Sequence, residues 1–517
     1  MTITTDKIIK FVDKKCFFPN VLISVITIFL YLNLNPMQNW FEGDLENIYF
    51  IYNSLLSSLK IKPIVIDYPG TVSFIINGFF YKIFLSDYSS FADINKIEDL
   101  NTFLNHALII NKYIQLVYLI IFFIFIYKIL NELNFKKYIN FLLTLVLIFS
   151  SPIILNFQLP RVENDVLCFM VLSIFFFIRY IKTNNYFFFT IFLISTVFML
   201  FTKVLFVFLL FIFPSLLFFL ESKKLVTLFK FKKFFFYFAI FNLVFGIFLF
   251  SCQYLLNQIN FISIIFSLTT YGLVFPLLFY FFLILEHDVK KIFFIIFTFL
   301  IIFISVLIYT SSNLAHVKYV LLPFELLSRH LRGAYSPDSN FIGQIFLILE
   351  AIFVNFKNFK ISNIEICFIG FIIFKYLRLK IKVTSLDITL ISLYLFFKLI
   401  FNIKYYLYYD SISIFLLILL FSRIYSSSFK VYLMSALILL FSINSSFNVL
   451  FYEEYRMTNM ARSQKIFNKF CKLSIYTEDE FKKLDRDKYF ALYYARHLMN
   501  YTNVKKICLK KQVESSN

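Results

Sequence analysis

Glu42, Asp44 and Glu46 fall within five positions, directly after the first long apolar run, in a chain whose Asp and Glu total 30 of 517 residues. Carboxylates this sparse, gathered where a chain leaves a membrane, can take a proton from a substrate or hold a cation. A second group is Leu159-Pro160-Arg161-Val162-Glu163-Asn164-Asp165, which sets three charges at the mouth of an apolar run. Charges there are costly unless solvated or paired, and Asp165, the deepest of them, is expected to face the protein interior. A third is Thr202-Lys203, between two apolar runs with almost no loop. Its ammonium either snorkels to the interface or meets a lipid-linked phosphate. The fourth is the loop over 311–340, with His316, Lys318, Arg329, His330, Arg332 and then Tyr335-Ser336-Pro337-Asp338. Guanidinium forks suit phosphate.

Plainer explanations stand beside each of these. Asp44 and Glu46 also suit the solvated first turn of a helix, where carboxylates favour the dipole. Two positions apart on a helix, they do not share a face; Asp44 is the stronger candidate, Glu46 a helper and Glu42 a bystander. Arg161 compensating Glu163 would make the second group a capped helix start. His316 and His330 are too isolated for metal-ligand spacing. Walker, Rossmann, zincin and G-x-S-x-G patterns are absent from the sequence.

The elements that must position these groups are membrane helices. Hydrophobic residues make up 60% of the chain and aromatics 22%, and the mean hydropathy is +0.79. Runs of that character cross the hydrocarbon core. Phe 78 and Tyr 34 against Gly 8 and Trp 1 read as AT-biased codon usage, so no function is attached to phenylalanine. The net charge of +20 lies in short loops such as Lys136-Lys137 and Lys223 to Lys233, the positive-inside pattern. It argues for topology and against a nucleic-acid partner.

With a cytoplasmic N-terminus and a retained first anchor near 17–35, an external loop over 36–107 follows. Its segments 45–59 and 71–85 are expected to be helices lying in the interface. Spans are expected near 108–130, 138–156, 164–181, 186–201, 204–220, 234–254, 261–285 and 291–310. An external loop over 311–360 follows, with 341–356 interfacial. Spans near 361–377, 386–402, 411–427 and 430–449 complete an all-α polytopic membrane domain, 1–449, of about 13 transmembrane helices. The polar segment 450–517 is expected to be a small external appendage, in which Cys471 and Cys508 either pair or stay free.

This arrangement resembles the GT-C superfamily of membrane glycosyltransferases, such as aminoarabinose transferases of lipid A and protein O-mannosyltransferases. Asp44-Leu45-Glu46-Asn47-Ile48-Tyr49 is similar to the family's acidic opening, and Asp67-Tyr68-Pro69-Gly70 to the turn before its interfacial helix. Arg161 to Asp165 resembles its second acidic motif, Thr202-Lys203 the lysine after its fifth span, and Lys404-Tyr405-Tyr406-Leu407 an Arg-Tyr segment before a late span. Tyr68 and Lys404 depart from the family's usual residues. The resemblance implies transfer of a sugar from a polyprenyl-phosphate-linked donor to a glycan, lipid or protein acceptor, on the external face of a bacterial plasma membrane.

In that scheme Asp44, Glu46 and Asp165 are the catalytic candidates. Lys203, Arg161, Arg329 and Arg332 would hold the donor phosphate, and Glu163, His330, Tyr405 and Tyr406 would contact substrate. No cofactor is required, and the resemblance leaves a divalent metal optional. The rival enzyme is a polymerase or ligase of lipid-linked glycans, relying on Arg329, His330 and Arg332. A transporter or flippase would instead place charges at mid-membrane on paired broken helices.

Overall fold

The computed structural model describes residues 17–34, 45–58, 70–85, 100–133, 137–158, 162–255, 261–310, 362–379, 383–401, 406–424 and 434–444, with a few single positions between them. Among these residues every regular element is helical. The order is α1 (Phe17–Leu34), α2 (Leu45–Ser58), α3 (Thr71–Phe84), α4 (Leu100–Glu132), α5 (Lys137–Ile148), α6 (Ser151–Gln158), α7 (Val162–Thr183) and α8 (Tyr186–Thr202). A 3-10 run (Val204–Phe211) leads into α9 (Ile212–Leu220) and α10 (Ser222–Leu228). Then come α11 (Phe231–Leu255), α12 (Phe261–Ile284), α13 (Val289–Tyr309), α14 (Asn363–Leu379), α15 (Ser385–Phe401), α16 (Tyr406–Ile424) and a short α17 (Met434–Asn444).

Six helices are long and apolar enough to cross a membrane, drawn from α1, α4, α7, α11, α12 and α13. A seventh crossing arises if α9 with its preceding turns and α10, bent by 91°, count as one broken span. The others are shorter. The span expected over 138–156 is two helices. Pro152 lacks the N–H to continue the α5 ladder, and the Ser150 carbonyl, accepting from Ile153 and Ile154 at 3.0 Å, restarts the chain as α6. The segments 45–59 and 71–85 do form the short helices α2 and α3. Phe79, Ile83 and Phe84 of α3 are exposed, as an apolar face turned to lipid would be.

Helix α7 lies at the centre, with 78% of its apolar window buried, against 6% for α11. The exposed Phe235, Phe236, Leu243 and Ile247 of α11 need an apolar solvent. Helix α4, at 33 residues, is about 50 Å long, more than the ~30 Å of hydrocarbon, so part of it must stand clear.

Side-chain bonds set which helix ends lie together. Glu132 at the end of α4 pairs with Arg179 at 3.0 Å and Lys182 at 3.1 Å, near the end of α7. His287, between α12 and α13, bonds Tyr180 at 2.9 Å and Asn184 at 2.8 Å. Those groups mark one end of the bundle. The starts of α7 and the end of α8 mark the other.

Two glycines serve close contact there. A Cβ on Gly78 would lie 2.6 Å from the Ser54 carbonyl oxygen, so α2 and α3 cross backbone to backbone. Gly70, with φ +148°, turns the chain into α3 in a region that L side chains avoid.

Candidate functional site

The site is built at the end of the bundle where α7 begins. Phe50 of α2, Phe74 of α3 and Val162 of α7 form a small buried cluster, with the two rings 5.8 Å apart. That cluster fixes α2 and α3 over the first turn of α7. Glu163 and Asp165, in that turn, are both buried, where the N-terminal dipole favours their charge.

Lys203 arrives from α8. Its own backbone is extended, φ −149° and ψ 103°, ending α8 and opening the 3-10 run. That break, in a stretch of otherwise uninterrupted apolar residues, turns the lysine inward. It is buried, with Nζ 2.7 Å from Glu163 Oε1. Lys203 therefore does not snorkel; it spends its charge on Glu163. Burying both ions is worthwhile only with close geometry, and 2.7 Å is close.

Asp165 is treated differently. Its Oδ1 accepts a short hydrogen bond from Gln115 Nε2 of α4. The Ser73 hydroxyl of α3 lies beside the same carboxyl group, and Oδ2 closes no hydrogen bond of ordinary length. Ser73, Asn77 and Tyr81 follow at four-residue intervals along one face of α3, and Asn111 and Gln115 do so on α4. All five are fully buried. The Ser73 hydroxyl, both amide atoms of Asn77 and of Asn111, and Gln115 Oε1 have no partner among the described residues. An unsatisfied buried polar group costs about 1–3 kcal/mol. Together they form a polar cluster whose hydrogen-bonding capacity the described residues leave unfilled.

A second ionic centre lies across a pair of rings. Phe206 of the 3-10 run and Phe397 of α15 have centroids 6.0 Å apart. Next to Phe397, the buried Lys398 reaches Glu365 of α14 at 2.9 Å and, closer still, Asp410 of α16. Glu365 also closes the start of α14, accepting from Ser362 N at 2.7 Å and Ser362 Oγ at 2.8 Å. At the other end of the same three helices, Asp387 accepts from Thr384 N at 2.7 Å and Thr384 Oγ1 at 2.9 Å. It is also paired with Arg423 of α16, which reaches Tyr376 at 3.3 Å. Glu365 and Asp387 are each the last member of a capping box.

Of the sequence-nominated residues, Glu163, Asp165 and Lys203 are brought together. Asp44, Arg161, Arg329, His330, Arg332 and Tyr405 lie outside the described residues, as do 450–517, Cys471 and Cys508 and most of 341–356. Glu46 and Tyr406 lie in α2 and α16, with side chains outside what is described. Sequence reading missed Ser73, Asn77, Asn111 and Gln115, whose four-residue spacing was the available signal. It also missed Glu365 and Asp387, visible as Ser-x-x-Glu and Thr-x-x-Asp. No group of three or more His, Cys, Asp or Glu side chains comes together among the described residues.

Fold and site together define a polytopic α-helical membrane protein with a buried ionic and polar centre at one bundle end. No family model, no curated protein and no solved structure matches the chain.

Proposed function

We propose that the chain is an integral membrane glycosyltransferase, moving a sugar from a polyprenyl-phosphate-linked donor to a glycan, lipid or protein acceptor. The single observation that carries this reading is the convergence of Glu163, Asp165 and Lys203 at one mouth of the bundle, beneath the short helices that follow Asp44. Acidic groups for proton transfer and an ammonium for a phosphate leaving group are what such a transfer requires.

In this reading the chain crosses the membrane about 13 times in a GT-C-like arrangement. The basic loops put the Asp165 end outside a bacterial plasma membrane, with 450–517 as an external appendage. The acceptor hydroxyl attacks the anomeric carbon while Asp44, helped by Glu46, takes its proton. The bond from that carbon to the phosphate oxygen breaks, and the electron pair leaves with the polyprenyl phosphate. Lys203 shifts from Glu163 toward the departing phosphate, joined by Arg161, Arg329 and Arg332. Asp165, held by Gln115, orients the sugar, and His330, Tyr405 and Tyr406 line the acceptor side. A divalent metal is optional.

The test is transfer by the full chain in nanodiscs, with polyprenyl-phosphate hexoses as donors. Asp44→Asn should cut the rate by about 10²–10⁴ with folding intact; wild-type rates would sink the assignment. Alanine at Arg329, His330 and Arg332 tests the rival polymerase or ligase, for which those losses would exceed that of Asp44→Asn. Lipid movement without product would indicate a flippase.

A further inference from the structure

We propose that the faces of α3 and α4 turned toward Asp165 form a binding site for a neutral sugar ring. The identity of the lipid-linked ligand rests on the transferase reading; the ring site rests on its own geometry. Ser73 and Asn77 present one turn of α3, and Asn111 and Gln115 one turn of α4, on either side of a carboxylate held by Gln115 Nε2. All are fully buried. Their open atoms are a hydroxyl, both atoms of two carboxamides, the Gln115 carbonyl oxygen and Asp165 Oδ2.

That set selects its ligand by chemistry. A phosphate needs positive charge, and the open atoms of this set carry none. A bare metal ion uses acceptors alone and leaves the carboxamide N–H groups unsatisfied. An apolar tail satisfies none of them. Ring hydroxyls each donate and accept, so they can give hydrogen bonds to Asp165 Oδ2 and Gln115 Oε1 while accepting from Asn77 and Asn111. Tyr118, three residues past Gln115, packs edge-on to Phe169 at 5.6 Å and supplies a rigid apolar wall.

The test measures binding apart from transfer. The full chain in nanodiscs is titrated with polyprenyl phosphate carrying glucose, mannose or galactose, and with the same lipid bearing no sugar. At least one hexose lipid should bind about 10-fold more tightly than the bare lipid. Asn77→Leu and Asn111→Leu should each remove about that factor for the hexose lipid only. Both variants lose unsatisfied groups and should melt at or above the wild-type temperature.

Unchanged hexose-lipid binding in both variants, equal loss for both lipids, or no preference for any hexose lipid overturns the proposal. A map at water-resolving detail with the hexose lipid bound checks it without mutation. Ring density between α3 and α4 supports the site, and ordered water alone there overturns it. Selective hexose binding without any product would fail the transferase reading and leave the ring site standing. Transfer with unchanged binding in the variants would do the reverse.

Discussion

The start of α7 and the α14–α16 unit both bury carboxylates, and they resolve the cost in opposite ways. Glu365, Asp387 and Asp410 each have a cationic partner, Lys398 or Arg423. Glu365 and Asp387 also close the start of their own helix. Glu365 and Asp387 keep one open oxygen each, but Asp165 has Gln115 and no cationic partner among the described residues, and it sits among amides that are open as well. Charge that is capped and paired locks helices together. Charge left incomplete, beside groups left incomplete, is held ready for a ligand. On the proposed function, α14–α16 are scaffold and α3, α4 and α7 carry the working site.

The sharpest way to break this contrast is to neutralise one carboxylate in each region. Asp165→Asn should cut sugar transfer by about 10²-fold, the scale of a mispositioned substrate, while thermal stability stays level. Asp387→Asn should leave transfer at the wild-type level but lower stability by about 3–5 kcal/mol, since the largely buried Arg423 is left without its partner. Thermal denaturation and specific activity, measured on the same preparations, separate the two.

Lys203 stands between the regions, both paired and poised. Lys203→Met should lose stability on a similar scale, about 3–5 kcal/mol, and lose transfer. In the double variant with Glu163→Gln, melting temperature should recover and transfer should not. Recovery of both would make the pair scaffold alone.

The scaffold side is tested by removing its charges together. Lys398→Met should destabilise strongly by stranding Glu365 and Asp410. Adding Glu365→Gln and Asp410→Asn should restore much of the melting temperature with transfer preserved. A folded triple variant without activity would move that centre into the working site.

The smallest effect is expected at the opposite end of the bundle. Burial, aided by the nearby Lys224 charge, holds the His287 imidazole below its ordinary range. The unfolded chain therefore takes up its proton first as pH falls. Its contribution is intact above about pH 6.5 and is lost below it, as pH falls through the lower folded value. A shallow decline in melting temperature there, absent in His287→Gln, is the expected outcome.

Much of the helical framework was legible in the apolar runs, down to the short helices at 45–58 and 71–84. The breaks were harder. The break at Lys203 was read from its lone lysine, whereas Ser150 interrupts the 138–156 segment with no change in hydrophobicity and only Pro152 to mark it. The site was half legible. Glu163, Asp165 and Lys203 stood out as charges in an apolar chain, whereas Asn77, Asn111 and Gln115 are ordinary polar residues until helix packing buries them. The pairing of Lys398 with Glu365 joins residues on separate helices and leaves no local trace.

The most direct test is a mass-spectrometric transfer assay comparing wild type, Asp165→Asn and Asp387→Asn in nanodiscs with polyprenyl-phosphate hexoses. The expected result is sugar-bearing product from wild type and from folded Asp387→Asn, with product from equally folded Asp165→Asn reduced by about 10²-fold. Equal product from Asp165→Asn and wild type, or product from neither wild type nor Asp387→Asn, would contradict the account.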